Sequence, residues 1–135
     1  MKIAGVTHPI PTEYANKIYE DKKTVFIGKS YLGKVSKGDK FVVYESYGAK
    51  AYTGYGTIKF IGKVKTNQIL KKYKDKLIIN EEEFKKYSKN KNEMTIIEFE
   101  NFKRFKDPVV PKRFVTIAGK YIYEDEYNDI IKKGG

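Results

Sequence analysis

The sequence contains no cysteine and no tryptophan, and it has one histidine and four prolines among 135 residues. Without cysteine the chain forms no disulfide, no zinc ribbon and no thiol nucleophile. No stretch approaches the ~20 apolar residues of a membrane-spanning helix, and the opening MKIAGVTHPIP holds no apolar run of signal-peptide length. We therefore expect a soluble, cytoplasmic protein without a membrane partner.

Acidic residues are scarce relative to basic ones. The chain has 28 lysines and arginines against 17 aspartates and glutamates, which makes its formal net charge +11. The excess is denser in residues 1–65, at +7, than in residues 66–135, at +4. Such a positive field favours a polyanion as partner, RNA or another nucleic acid. The alternative is a lysine-rich surface that serves stability in a hot environment, but glutamate does not match lysine in number.

The length is that of a single domain over residues 1–135. The pattern predicts a strand, a helix, three strands, two helices, a long strand, and then a strand end with a last helix. Such an order indicates an α/β mixed (α+β) fold, a small pseudobarrel of mainly antiparallel strands with helices packed outside. The prolines at positions 9, 11, 108 and 111 are expected to end the first strand and the long strand.

Helix starts are predicted at three capping residues, Thr12, Thr66 and Asn80. Three glutamates follow Asn80 and place negative charge at the positive end of its helix. Because the helix dipole explains these carboxylates, we expect no metal site there, and nothing in the sequence calls for a cofactor.

Residues 47–56, YGAKAYTGYG, are predicted to form a loop that contributes most of a ligand site. Its glycines let a ligand approach the backbone, and its tyrosines offer flat faces on which bases stack. The alternative is a mobile hairpin loop whose tyrosines fold back onto the sheet. The nucleic-acid-binding residues expected here and nearby are Lys29, Ser46, Tyr47, Gly48, Lys50, Tyr52, Tyr55, His8, Lys112 and Arg113.

Each of these side chains has a predicted role. The lysines at 29 and 50 would bind phosphates, the three tyrosines would stack on a base or wall a pocket, and Ser46 would read a base edge. Lys112 and Arg113, in a late loop, would close the far side of the same cleft. His8 has an unperturbed pKa near neutrality and would touch the ligand, or else it is a packing residue beside a proline.

Four segments carry a resemblance to a known superfamily: IYEDKKTVFIGKS, KGDKFVVYES, YTGYGTI, and MTIIEFENF followed by a proline-broken loop. The chain resembles PUA-like domains close to the ASCH and EVE branches, and most of all an archaeal family of uncharacterised function. The resemblance covers nearly the whole chain and implies a PUA-like pseudobarrel. It also implies a role with nucleic acid, since PUA-like domains typically bind RNA and EVE domains bind modified bases in DNA.

The resemblance breaks down at one motif. ASCH domains carry G-x-K-x-x-E-x-R, and some of them hydrolyse N4-acetylcytidine with a lysine, a threonine and a glutamate. Aligning Lys23 and Thr24 with that pattern puts Phe26 at the glutamate position and Gly28 at the arginine position. In an enzyme, Glu45 would have to replace the missing carboxylate in space.

The sequence therefore predicts a nucleic-acid-binding domain that holds RNA, or a modified nucleotide, in a basic, tyrosine-lined cleft. Two alternatives stay open: a small hydrolase or deacetylase that acts on a modified nucleoside, and a basic protein-interaction module. The oligomeric state is not predicted.

Overall fold

The computed structural model describes residues 2–28, 32–113, 115–116 and 118–135. Lys29, one of the predicted phosphate ligands, lies outside the described residues. The order of elements agrees with the sequence prediction. The elements are β1 (Ile3–Ile10), α1 (Thr12–Tyr19), β2 (Val25–Gly28), β3 (Lys40–Glu45), β4 (Ala51–Lys65), α2 (Thr66–Tyr73), α3 (Glu81–Tyr87), β5 (Glu93–Val109), β6 (Lys120–Tyr123) and α4 (Glu124–Gly134).

The strands form one mixed sheet in the order β2-β5-β4-β3-β1-β6. β1 and β3 are parallel, and the other neighbours are antiparallel. The sheet curls, so that the rings of His8 on β1 and Phe26 on β2 lie 4.8 Å apart. No ladder between described residues joins the edge strands, however, because β2 and β6 each have one partner. The mixed α+β class is confirmed, but the expected barrel is an open, curled sheet.

The predicted strand ends at the prolines were wrong. β1 continues through Pro9, which aligns with Tyr44 of β3, and β6 pairs with β1 only as far as Thr7. Pro9 therefore has one unpaired side, where its missing N–H breaks no ladder. β5 likewise continues through Pro108 to Val109, after a register shift in its pairing with β4.

The helices pack on the two faces of this sheet. Inside the curl, α1 covers a cluster that includes Phe41, Ile58 and Phe99. A second cluster joins α2 and α3 to the sheet through Ile69 and Phe84. α4 lies on the outer face, over a third cluster: Val42, Tyr52, Phe105, Val109, Val115, Ile122 and Ile130. None of the described helices is long and apolar enough to span a membrane.

One of the three predicted helix caps is confirmed. Asn80 and Glu83 form a reciprocal capping box at the start of α3. Neither threonine caps its helix: the Thr12 hydroxyl donates to the Tyr47 carbonyl, and the Thr66 hydroxyl donates to the Lys91 carbonyl. The Thr12 contact fastens the turn after β3 to α1, which fixes the backbone of that turn.

Candidate nucleic-acid interface

The turn between β3 and β4, residues 46–50, presents two of the predicted side chains to solvent. The Tyr47 side chain is 67% exposed, and Lys50 is exposed and makes no ion pair with a described residue. Gly48 and Lys50 both have positive φ, 75° and 49°, which turns the chain tightly. The half-buried Ser46 donates its backbone N–H to the Ile10 carbonyl at 3.1 Å. The turn is thus anchored at its first two residues and offers a ring and a cation.

The predicted loop is shorter than expected because β4 already begins at Ala51. Two of its glycines accommodate neighbouring rings. A Cβ at Gly54 would lie 2.9 Å from the Tyr19 hydroxyl, and one at Gly56 would lie 3.2 Å from the ring of Phe102. Their lack of a side chain serves packing inside the curl rather than the approach of a ligand.

Tyr52 is buried in β4, with 1% of its surface exposed. Its ring packs edge to face against Tyr44, with centroids 5.9 Å apart, so neither face is open to a base. The hydroxyl makes no hydrogen bond of normal geometry. Burial, and then the nearby Glu126 carboxylate, raise the pKa of Tyr52, which keeps the hydroxyl protonated and able to donate.

Tyr55 is half-buried on the outer face of the sheet. Its ring lies 5.7 Å from that of Phe105 and 5.9 Å from that of Tyr127, and the Lys40 ammonium is 5.9 Å from its centroid. These contacts bind Tyr55 to α4 and β5. Tyr47 is therefore the one of the three predicted stacking tyrosines that is well exposed.

A cavity of about 740 Å³ lies between α4, β6 and the segment that follows β5; we name it the α4 pocket. It brings together three predicted residues, Tyr52, Lys112 and Arg113, from opposite halves of the chain. The other lining residues were not predicted as site residues: Val109, Val110, Pro111, Lys120, Tyr121, Tyr123, Asp125, Glu126, Asp129 and Ile130. The segment Lys120–Tyr123, with two tyrosines beside a lysine, was the sequence feature that could have indicated this pocket.

The charges in the α4 pocket are mostly paired. The Lys120 ammonium lies 2.9 Å from a Glu126 oxygen, and Lys112 lies 4.0 Å from Asp129. Arg113 is exposed and makes no ion pair with a described residue. The pocket is therefore lined by three tyrosines, of which Tyr52 was predicted, and its three basic residues equal its acidic residues in number: Asp125, Glu126 and Asp129.

His8 is buried, with 4% of its surface exposed, between the rings of Phe26 and Phe41. Burial lowers the pKa of His8 to about 4, so the imidazole is neutral at physiological pH. It lines neither this pocket nor the second cavity described below. This environment agrees with the alternative prediction for His8, that it is a packing residue.

The three residues of the enzyme alternative are not brought together. The Lys23 ammonium donates to the Asp75 carbonyl at 2.7 Å. Hydrogen bonds and ladder register place Thr24 in one row with Phe99, Ile58 and Asp39. Glu45 lies at the far end of β3 from Asp39 and is buried, and no hydrogen bond or ion pair between described residues joins it to Lys23.

A second, more apolar cavity of about 540 Å³ lies between β1, β2 and α3 and includes Phe26 in its wall. Its carboxylate is Glu83, which accepts hydrogen bonds from the Asn80 backbone and from the Tyr14 hydroxyl. These two bonds, the Asn80 bond first, lower the pKa of Glu83. A carboxylate stabilised in its charged form is a weak base, so this cavity offers little for hydrolysis.

The model of a domain of unknown function, DUF365, matches residues 3–124. The chain belongs to this family. A relative, an uncharacterised protein of Methanocaldococcus jannaschii, is 42% identical over 77 residues, which cover 49% of this chain and 71% of the relative.

Solved structures with the same fold include the ASCH protein of Zymomonas mobilis. The TM-score is 0.87 at 13% identity, over 98% of this chain and 96% of that chain. A point variant of the same ASCH protein superposes with a TM-score of 0.86 at 14% identity, over 99% of both chains. At this identity the similarity establishes the fold: this chain has the ASCH-type architecture that the sequence resemblance implied.

Proposed function

We propose that this protein binds single-stranded RNA at the end of the sheet where the 46–50 turn meets the α4 pocket. The observation that carries the proposal is the position of Tyr52. It lies two residues beyond the turn, it pairs with Val109 of β5, and it lines the pocket together with Arg113. Tyr52 therefore links the turn that carries Tyr47 and Lys50 to the pocket that carries Arg113, and neither cation makes an ion pair with a described residue.

The chemistry of this surface suits a flexible polyanion. Binding of a single strand needs cations along the backbone track and aromatic faces for the bases. Lys50 and Arg113 supply the cations, and Tyr47 supplies a face on an anchored turn. The net charge of +11 adds long-range attraction, and PUA-like folds are generally associated with RNA.

Binding is favoured over catalysis on this surface. The lysine, threonine and glutamate of the hydrolase alternative lie apart, and Lys23 is engaged with a backbone carbonyl. The protein-interaction alternative requires neither Tyr47 nor a preference for single strands, so the same experiment separates it from RNA binding.

The test is fluorescence anisotropy of a labelled, mixed-sequence 12-nucleotide RNA, with duplex DNA as competitor. Tyr47→Ala is expected to weaken binding roughly tenfold, because one stacked base contributes about 1–3 kcal/mol. The substitution leaves the charge unchanged, and the exposed ring contributes little to folding.

Phe60→Ala is the matched control, since Phe60 is an exposed aromatic residue farther along β4, at 39% exposure. It should bind RNA as the wild type does. Equal affinity of wild type and Tyr47→Ala would remove stacking by Tyr47 from the proposal. Failure of the wild type to bind any single strand would favour the protein-interaction alternative.

A further inference from the structure

The α4 pocket contains an unused polar group. Among the described residues, the Tyr52 hydroxyl is the buried side-chain polar atom that makes no hydrogen bond of normal geometry, although the Glu126 carboxylate lies close enough to act on it as an acceptor. Buried polar groups are nearly always paired, so an unpaired hydroxyl in the wall of a cavity indicates a missing partner. Because the cavity is roomy and open to solvent on the Arg113 side, that partner can be a ligand atom.

Two polar groups, the Lys120 ammonium and the Tyr52 hydroxyl, lie beside the Glu126 carboxylate in this pocket. Glu126 has Lys120 on one side, at 2.9 Å, and the Tyr52 hydroxyl in its vicinity. Lysine ammonium is only a donor, an ionised carboxylate is only an acceptor, and the protonated tyrosine hydroxyl can donate. The pocket thus presents a donor, an acceptor and a donor.

We propose that the α4 pocket binds one unpaired base of the RNA through an imide edge, an N–H flanked by two carbonyl oxygens. This edge is complementary to Lys120, Glu126 and Tyr52, and uracil is the standard RNA base that carries it. Cytosine lacks the N–H, adenine lacks the carbonyls, and guanine matches at two of the three positions. The inference rests on the proposed function, since it assigns base selectivity to the same surface.

The remaining lining fits a nucleotide. A volume of about 740 Å³ is within the usual range for small-molecule pockets and leaves room for a ribose and phosphate beside the base. Val109 and Ile130 give apolar contact, and Tyr123, 41% exposed, offers a ring at the edge of the pocket. Arg113 supplies a cation for the phosphate.

The experiment compares three labelled hexamers: oligouridylate, oligocytidylate, and oligouridylate made of 3-methyluridine. Methylation at N3 removes the N–H that faces Glu126 and keeps both carbonyl groups. Wild-type protein is expected to bind oligouridylate roughly tenfold more tightly than the other two, a ratio typical of one well-made base-edge contact.

Two variants locate the selectivity. Tyr52→Phe removes only a hydroxyl that makes no hydrogen bond of normal geometry with a described residue, so the variant should fold as the wild type does, and Glu126→Leu removes the acceptor. Both should reduce the ratio of uridylate to cytidylate affinity toward one. The matched controls are Tyr73→Phe in α2 and Glu82→Leu, whose side chain is 83% exposed on α3; both should keep the wild-type ratio.

Equal wild-type affinity for the three hexamers, at a measurable level, would overturn the imide site and leave RNA binding in place. A uridylate preference that survives both Tyr52→Phe and Glu126→Leu would also overturn it, because the selectivity would then reside elsewhere. Absence of binding to every single strand would instead overturn the proposed function on which this inference rests.

Discussion

At the scale of single residues, the two most informative side chains are buried polar ones. His8 lies between phenylalanines and is neutral, whereas Tyr52 keeps its proton beside Glu126 and makes no hydrogen bond of normal geometry with a described residue. Both were predicted to touch a ligand and both are buried, but their surroundings differ. The His8 ring is enclosed by apolar neighbours, but the Tyr52 hydroxyl borders a cavity.

The pKa of His8 makes stability depend on pH. Its folded-state pKa of about 4 is below the unfolded value near 6.5, so between these values the unfolded chain binds the proton and the folded chain does not. Stability is therefore fully present above pH 6.5 and falls as the pH drops toward 4. Between pH 7 and 5.5 we expect a loss of about 1 kcal/mol in the free energy of unfolding, measured with urea.

His8→Phe is the control for this pH effect, because it keeps a ring between Phe26 and Phe41 and removes the titrating group. The variant should lose much less stability than the wild type between pH 7 and 5.5. Carboxylates remain mostly ionised in that window, so an identical pH dependence in both proteins would mean that His8 is not the group responsible.

At the scale of elements, the close approach of β1 and β3 depends on Gly5. A Cβ at Gly5 would overlap the Lys40 carbonyl, with which Gly5 is paired in the parallel ladder. Gly38, in the turn before β3, is needed for a different reason. Its φ is 96°, and a Cβ there would meet nothing within 4 Å. One glycine is required for space and the other for backbone conformation.

Gly5→Ala is accordingly expected to destabilise the protein by at least about 3 kcal/mol, since backbone must move to relieve the overlap. Gly38→Ala should cost about 1 kcal/mol, the cost of a left-handed conformation for a residue with a Cβ. Urea unfolding of the two variants measures both values. A Gly5→Ala variant as stable as Gly38→Ala would show that the two strands separate without difficulty.

At the scale of the whole molecule, the positive charge decides how RNA is attracted but not where it binds. Some lysines are paired, for example Lys85 with Glu81 and Lys133 with Asp129. Lys50 and Arg113 make no such pair with described residues and lie beside the proposed surface. Loss of one such phosphate contact should therefore lower the slope of log affinity against log salt concentration.

We expect Arg113→Ala to reduce the slope of log affinity against log salt concentration by about 0.7, the value for one phosphate contact on a single strand. Tyr47→Ala should weaken binding without changing this slope. Lys85→Ala, at a paired site on α3, is the charge-matched control and should keep the wild-type slope. If Arg113→Ala and Lys85→Ala gave the same slope, the charge would act only as a diffuse field.

Much of the fold could be predicted from local patterns. The mixed class, the order of elements and the Asn80 cap depend on neighbouring residues and were confirmed. The strand ends at Pro9 and Pro108 were wrong, because a proline breaks a ladder only where a partner strand stands on its N–H side. At Pro9 no partner strand stands there, because β6 pairs with β1 only as far as Thr7. The extent of this pairing cannot be predicted from the residues around Pro9.

In the candidate site, too, some features could be predicted from the sequence and others depend on the tertiary structure. Composition by itself determined a strongly basic protein, and the glycines after β3 predicted a loop there, since both depend on residue type. Tertiary structure alone decided that Tyr52 is buried and that it meets Arg113 and Glu126 in one pocket. The physical reason is that strand register and the packing of α4 bring together residues from distant parts of the chain.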